Sequence, residues 1–178
     1  MENYHQILQK LRTRRNSKDV SFVLGFSNNW HHDLWYDILD NKVIQDSETG
    51  LLIKNTTNRK NNNILILAPR SHAKSTVFTV NYPLSEIVRN RNVRIVIVSS
   101  TSDNAEAFLR EIKSHIERED NTKIIDFKRV FGDFVPDNPD KWTDKSIIVE
   151  RPDLRLKDPT VSAVGSGGSI LSRRADII

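Results

Sequence analysis

Two short apolar runs constrain this chain more than any other feature: residues 64–68 (ILILA) and residues 93–99 (VRIVIVS). Both are rich in β-branched side chains and nearly unbroken, the pattern of strands buried on both faces. Between them, residues 75–88 carry Val77, Phe78, Val80, Leu84, Ile87 and Val88 at helical spacing. Pro83 is expected to kink that helix or split it after Tyr82. After the second run, Asp103 is the expected N-cap of a further helix, with Glu106 three residues on as in a capping box. Phe108, Leu109, Ile112 and Ile116 supply its buried stripe. Strands alternating with helices predict an α/β fold with a mostly parallel sheet flanked by helices. Residues 146–150 and 160–164 read as two more strands, paired like a hairpin, and residues 165–169 as a flexible Gly/Ser loop. Residues 175–178 open another apolar run that stops on its second buried residue, so the sequence is expected to be cut there, not finished.

Upstream, residues 4–14 read as an amphipathic helix with Ile7, Leu8 and Leu11 on one face. Residues 22–24 are a short apolar run, residues 25–29 a turn, and residues 31–39 hold Leu34, Trp35, Ile38 and Leu39 at helical spacing. Residues 55–63 are polar and loop-like. Residues 1–29 are therefore taken as an N-terminal helical or linker segment, and residues 30–178 as one domain. A chain of 178 residues can bury a real core. Its 37% apolar and 28% charged content is that of a soluble globular protein. No stretch approaches the ~20 apolar residues of a membrane span, and no secretory h-region is present. The absence of cysteine rules out disulfides and thiolate metal sites. The five histidines lack zinc spacing. Asp126, Asp133, Asp137, Asp140 and Asp144 are interrupted by lysines and prolines and read as a surface loop. The net charge of +4 is spread thinly. Its one local cluster, Lys10, Arg12, Arg14 and Arg15, fits either a solvated helix face or a contact with DNA phosphates.

The junction after the first run is chemically specific. Residues 68–76 (APRSHAKST) match the frame G-x-x-x-x-G-K-[ST] at Lys74 and Ser75, between an expected strand and an expected helix. In such a loop, backbone N–H groups and the helix N-terminus hold phosphate oxygens. Lys74 would neutralise the β- and γ-phosphates, and the Ser75 hydroxyl would ligate Mg²⁺. Both glycine positions are alanine here, Ala68 and Ala73. Wherever the loop needs a positive φ, alanine costs roughly 1 kcal/mol relative to glycine. The pattern also fits an ordinary strand-to-helix turn with a basic cap. A lysine at a helix start opposes the helix dipole, which an anion held there would explain, and Arg70 adds a second cation.

Three stretches, LILAPRSHAKST, RIVIVSSTSDNAEAFLREIKSHIE and GSGGSILSRRADII, resemble the large subunit of tailed-phage terminases. The resemblance runs from about residue 30 to residue 178. It implies a RecA/ASCE-like P-loop NTPase fold, incomplete at its C-terminus, and an ATPase that drives double-stranded DNA into a procapsid. It implies that Pro69, Arg70, Ser71, His72, Ala73, Lys74, Ser75 and Thr76 hold ATP, that Ser75 contacts Mg²⁺, and that Lys74 and Arg70 are catalytic. Arg70 resembles a loop arginine that touches the γ-phosphate or couples hydrolysis to movement. His31, His32 and Trp35 lie where the family's nucleotide-base pocket begins. Arg173 and Arg174 precede Asp176 much as the family's arginine precedes its acidic strand, while Ser71 and Ser172 replace usual glycines. The family's Mg²⁺-holding acids belong beyond Ile178, so Asp176 is not one of them, and the nuclease domain is likewise outside the sequence. The implied partners are a portal protein and a small terminase subunit, with the intact protein forming a homo-oligomeric ring in the host cytoplasm. Two further readings stay open: another P-loop DNA translocase or helicase, and a non-catalytic nucleotide- or DNA-binding remnant.

Overall fold

The computed structural model describes residues 4–40, 44–45, 52–53, 64–119, 125–168 and 174–178. The polar stretch at residues 55–63 and the residues Ser169, Ser172 and Arg173 lie outside these.

Helix α1 spans Tyr4–Arg14, as its periodicity predicts, and turns Leu11 into the core with Ile7 and Leu8 beside it. A second helix, α2 (Ser17–Val23), has no comparable periodicity. It forms because Asn16 adopts an extended backbone and its side chain accepts the Asp19 N–H at 2.8 Å. Helix α3 (Trp30–Leu39) follows. A small antiparallel pair, β1 (Ile44–Gln45) and β2 (Leu52–Ile53), stands apart from the main sheet.

A long helical stretch opens at Lys74. Its first part, Thr76–Asn81, is π-helical, and α4 (Tyr82–Arg89) continues it. The Tyr82 N–H donates to the Val77 carbonyl, five residues back. Proline explains the wide turn: Pro83 has no N–H to donate, and its ring would strike the carbonyl four residues earlier in an α-helix. The change of helix type therefore falls at Tyr82, where Pro83 was expected to act. A buried polar chain fixes this stretch against α2 and α3: Asn81 Nδ2 donates to Tyr36 Oη at 3.0 Å, and that hydroxyl donates to Ser21 Oγ at 3.2 Å. Burial pushes the Tyr36 phenol above its ordinary range.

The main sheet has three strands in the order β3-β5-β4. Strand β3 (Ile95–Ser99) runs parallel to β5 (Val161–Gly165), from Ile95 opposite Val161 to Ser99 opposite Gly165. Strand β4 (Ser146–Ile147) pairs antiparallel with β5, so the expected hairpin-like pairing is present, though shorter. The sheet is thus small and mixed, where a mostly parallel one was expected. Helix α5 (Ser102–Glu117) packs on β3 and β5 through Ala105, Leu109, Ile112 and Ile116, all buried. Burying each Leu or Ile contributes about 1.5–3 kcal/mol. The α5 cap is Thr101, not Asp103: Thr101 has the extended backbone an N-cap needs, and its hydroxyl accepts the Asn104 N–H at 3.3 Å. Asp103 falls in the first turn, where its charge still favours the helix dipole. Helix α6 (Phe127–Phe131) is capped by Asp126, whose Oδ1 accepts the Lys128 N–H at 2.7 Å. Asp126 is buried, which removes it from the expected surface loop; Asp133, Asp137, Asp140 and Asp144 are exposed as that reading required.

One apolar core joins α1, α2, α4, α5, α6 and the sheet. The basic residues of α1 take part in closing it. Arg12 donates to the carbonyls of Val130 (3.0 Å) and Arg129 (2.8 Å), and Arg15 donates to the Val88 carbonyl (3.3 Å). These carbonyls lie near the ends of α6 and α4, where cations are favoured. Arg12 and Arg15 are therefore neither a merely solvated face nor free for phosphates.

One strong expectation fails. Residues 64–69 form no regular element and belong to no ladder, and Leu65 and Leu67 are 85% and 87% exposed. A parallel strand is stable only with hydrogen-bonded neighbours and cover on both faces. Across from residues 64–66 lies a cleft of about 580 Å³, walled by Phe78, Tyr82, the open edge of β3 and residues 175–178. Among the described residues, only Ile177 forms a bridge with that edge, pairing with Ile95 in parallel, with the Val96 N–H donating to the Ile177 carbonyl at 2.9 Å. The apolar run at 175–178, read from sequence as the start of a strand, is joined to β3 by this single isolated bridge.

Candidate functional site

The segment 68–76 links the irregular run that begins at Ile64 to the helix that opens at Lys74. Its backbone is unusual at two positions. Ser71 has φ +63° and Ala73 has φ +52°, the left-handed region that L-residues seldom occupy. Only one other described non-glycine residue, Arg15, has a positive φ. Ala73 stands where the sequence frame calls for glycine, so the conformation that glycine would ease is present without it. Such strain persists only when its surroundings hold it, and it concentrates at functional loops. Ala68, the other glycine position, shows no positive φ.

The loop is closed by its own groups. The Lys74 ammonium folds back and donates to the carbonyl of Ala68 and to that of Pro69, the latter at 3.0 Å. The Ala73 carbonyl accepts the Val77 N–H at 2.9 Å, the first rung of the helix. His72 Nδ1 lies 2.8 Å from the Arg70 carbonyl. Pro69, Arg70, Ser71, His72 and Ser75 are exposed, while Ala73, Lys74 and Thr76 are half-buried. The segment therefore combines a cation, strained backbone, a hydroxyl at a helix start and N–H groups that the first helical turn cannot satisfy internally. Arg70, Lys74 and Ser75 lie within this one loop, as the sequence spacing requires. Arg174 is exposed. Asp176 is taken by Arg94: its Oδ2 accepts from the backbone N–H at 2.9 Å and Nε at 3.0 Å, and its Oδ1 from Nη2 at 2.8 Å. Those hydrogen bonds hold the Asp176 carboxyl below the usual carboxylate range.

Beside the loop lies a cluster of rings from α3. His31 and His32 have centroids 4.0 Å apart, and His31 lies 5.5 Å from His72 and 5.2 Å from Trp35. Trp35 in turn packs on Phe78 of the π-helical stretch at 5.2 Å. Burial, and then the neighbouring His32 and His72, hold the His31 imidazole below its ordinary value. His31 is half-buried, but His32 is only 5% exposed and Trp30 is 79% exposed. His32 Nδ1 accepts the Asn29 N–H at 3.1 Å, and His32 Nε2 lies 3.3 Å from the His72 carbonyl. Sequence reasoning missed this link. The sequence carries a signal for the Asn29 contact alone, because His32 stands three residues after the cap residue, where a capping box places an acceptor side chain; the contact with His72 spans 40 positions.

Among the described residues, no group of three or more His, Asp or Glu is placed to hold a metal ion, and no helix is long and apolar enough to cross a membrane. Set against protein-family models, curated proteins and solved structures, the chain matches none of them.

Proposed function

We propose that residues 68–76 bind the phosphates of ATP and that the chain is the ATP-binding part of a viral large terminase subunit. The observation that carries this reading is the left-handed backbone at Ala73, one residue before a lysine that opens a long helix. A phosphate loop needs its peptide groups turned so that successive N–H groups converge on one anion. Residues with positive φ produce that turn.

The donor set suits a triphosphate. Lys74 would exchange the carbonyls of Ala68 and Pro69 for phosphate oxygens, a stronger charge-assisted interaction. Arg70, exposed at the loop tip, would reach the terminal phosphate. The fit to Mg²⁺ rests on the exposed Ser75 hydroxyl, a single protein ligand of the kind Mg²⁺ takes alongside phosphates and water. Bound Mg²⁺ would supply charge neutralisation at the phosphates. What this chain's residues do is orient and neutralise the polyphosphate at a helix start.

In the intact protein, this site would power movement of double-stranded DNA, on a P-loop NTPase fold and as a homo-oligomeric ring that meets a portal protein and a small terminase subunit in the host cytoplasm. The chain of 178 residues is proposed to bind nucleotide weakly and to hydrolyse it little or not at all. Titrating it with a fluorescent nonhydrolysable ATP analogue in Mg²⁺ tests the proposal. Binding is expected for the wild type and at least a hundredfold weaker binding for Lys74→Ala, with an unchanged circular dichroism spectrum. Removing a charged hydrogen bond to a triphosphate costs about 3 kcal/mol, which sets that factor. Equal affinity in Lys74→Ala would remove the loop from consideration.

A further inference from the structure

We propose that His32 is a positioning residue for this loop: it fixes the His72 peptide group in the orientation that nucleotide binding requires. The inference rests on the phosphate-loop reading and extends it to a residue 40 positions away in sequence.

The argument starts from the ring's two nitrogens. His32 Nδ1 receives the Asn29 N–H, so it carries a lone pair and no proton. In the neutral imidazole the proton then sits on Nε2, which donates to the His72 carbonyl. One ring thus joins the N-terminus of α3 to the segment between the two left-handed residues, Ser71 and Ala73. The peptide unit is planar and trans, so its carbonyl and its N–H point in opposite directions. Holding the His72 carbonyl toward α3 directs the Ala73 N–H away from α3. Ala73 occupies the second glycine position of the phosphate-loop frame, so this is one of the peptide groups whose orientation sets the anion site. Burial makes the strut stiff, since His32 is enclosed by the rings of Phe26, His31 and Trp35. A histidine does here what a glutamine at the same capping position could also do, accepting with one atom and donating with another.

Substitutions at His32 separate positioning from plain packing. His32→Leu keeps the apolar bulk and removes both hydrogen bonds; His32→Gln keeps an acceptor for Asn29 and a donor for His72. Affinity for the fluorescent Mg²⁺·ATP analogue is measured well below each variant's melting temperature, with Lys74→Ala as the control. The expected result is about tenfold weaker binding for His32→Leu, the equivalent of one hydrogen bond, and recovery to within about threefold in His32→Gln. If His32→Leu binds like the wild type while Lys74→Ala does not, the positioning role is wrong and the phosphate site stands. If Lys74→Ala also binds like the wild type, the phosphate loop itself is wrong. Should His32→Leu fail to fold, the imidazole ¹⁵N shifts of the wild-type protein decide. A neutral ring protonated on Nε2 supports the strut, and protonation on Nδ1 overturns it.

Discussion

Replacing Ala73 with glycine is expected to stabilise this protein, the reverse of what glycine does at an ordinary helix start. Ala73 has φ +52°, and an L-residue in the left-handed region costs about 1–2 kcal/mol that glycine does not incur. Against this, glycine loosens the unfolded chain, a loss of about 0.4–1 kcal/mol. The difference leaves Ala73→Gly more stable by roughly 0.5–1 kcal/mol. For a chain of 178 residues that shift raises Tm by about 1–4 °C. Scanning calorimetry or a urea melt resolves it, and Gly25 supplies the mirror experiment. Gly25 has φ +85° and no atom within 4 Å of an added Cβ, so Gly25→Ala involves the same two backbone effects with opposite sign and is expected to lower stability by about 0.5–1 kcal/mol. If Ala73→Gly instead lowers stability by the 0.5–1 kcal/mol typical of glycine in a helix, the loop does not hold the left-handed turn, and the main support for a phosphate site is gone.

Asp40→Ala is expected to cost about 2–3 kcal/mol in a denaturant melt, because it strips a buried carboxylate from a network joining three helices. Asp40 accepts from Arg89 at 2.6 Å and from the Ser17 hydroxyl at 2.6 Å, while Arg89 also holds Glu86 at 2.5 Å. The pH dependence of stability has a definite sign at Asp176. Its folded pKa lies below the ordinary value of 3.8, so its contribution is complete above that value and fades as pH falls through the folded pKa. Thermal melts between about pH 2 and 5 are expected to show a shallower acid decline in Asp176→Asn than in the wild type. A phosphate-release assay on the chain with Mg²⁺·ATP is expected to show little or no turnover; brisk hydrolysis would refute the expectation that this chain binds nucleotide without turning it over.

Much of the fold was legible because it follows from periodicity. Leu109, Ile112 and Ile116 fall on one face of α5 at a spacing no strand would share, and Pro83 marks where the helix changes type. The short apolar runs were less decisive. The pattern ILILA describes what a buried strand contains but not whether neighbours cover it, so residues 64–68 and 95–99 look alike in sequence and differ in pairing. The cap of α5 shows the same limit at smaller scale: Thr101 and Asp103 are both good caps, and the backbone leaving β3 chose between them. At the candidate site, Lys74 and Ser75 were readable from spacing. The roles of His32 and of the Asp40–Arg89–Glu86 network were not, because they depend on contacts between residues tens of positions apart.

The wide-turned helix behind the loop makes the aim of Lys74 a matter of phase. A π-turn accommodates about one residue more than an α-turn, and each α-helical residue advances the direction of its side chain by about 100°. Tightening Thr76–Asn81 from π to α without losing a residue would swing Lys74 by about a quarter of a revolution or more relative to α4, whereas a one-residue deletion that accompanies the tightening would leave its aim nearly unchanged. A substitution of Pro83 that lets this stretch tighten would thus misdirect the lysine while every loop residue stayed the same.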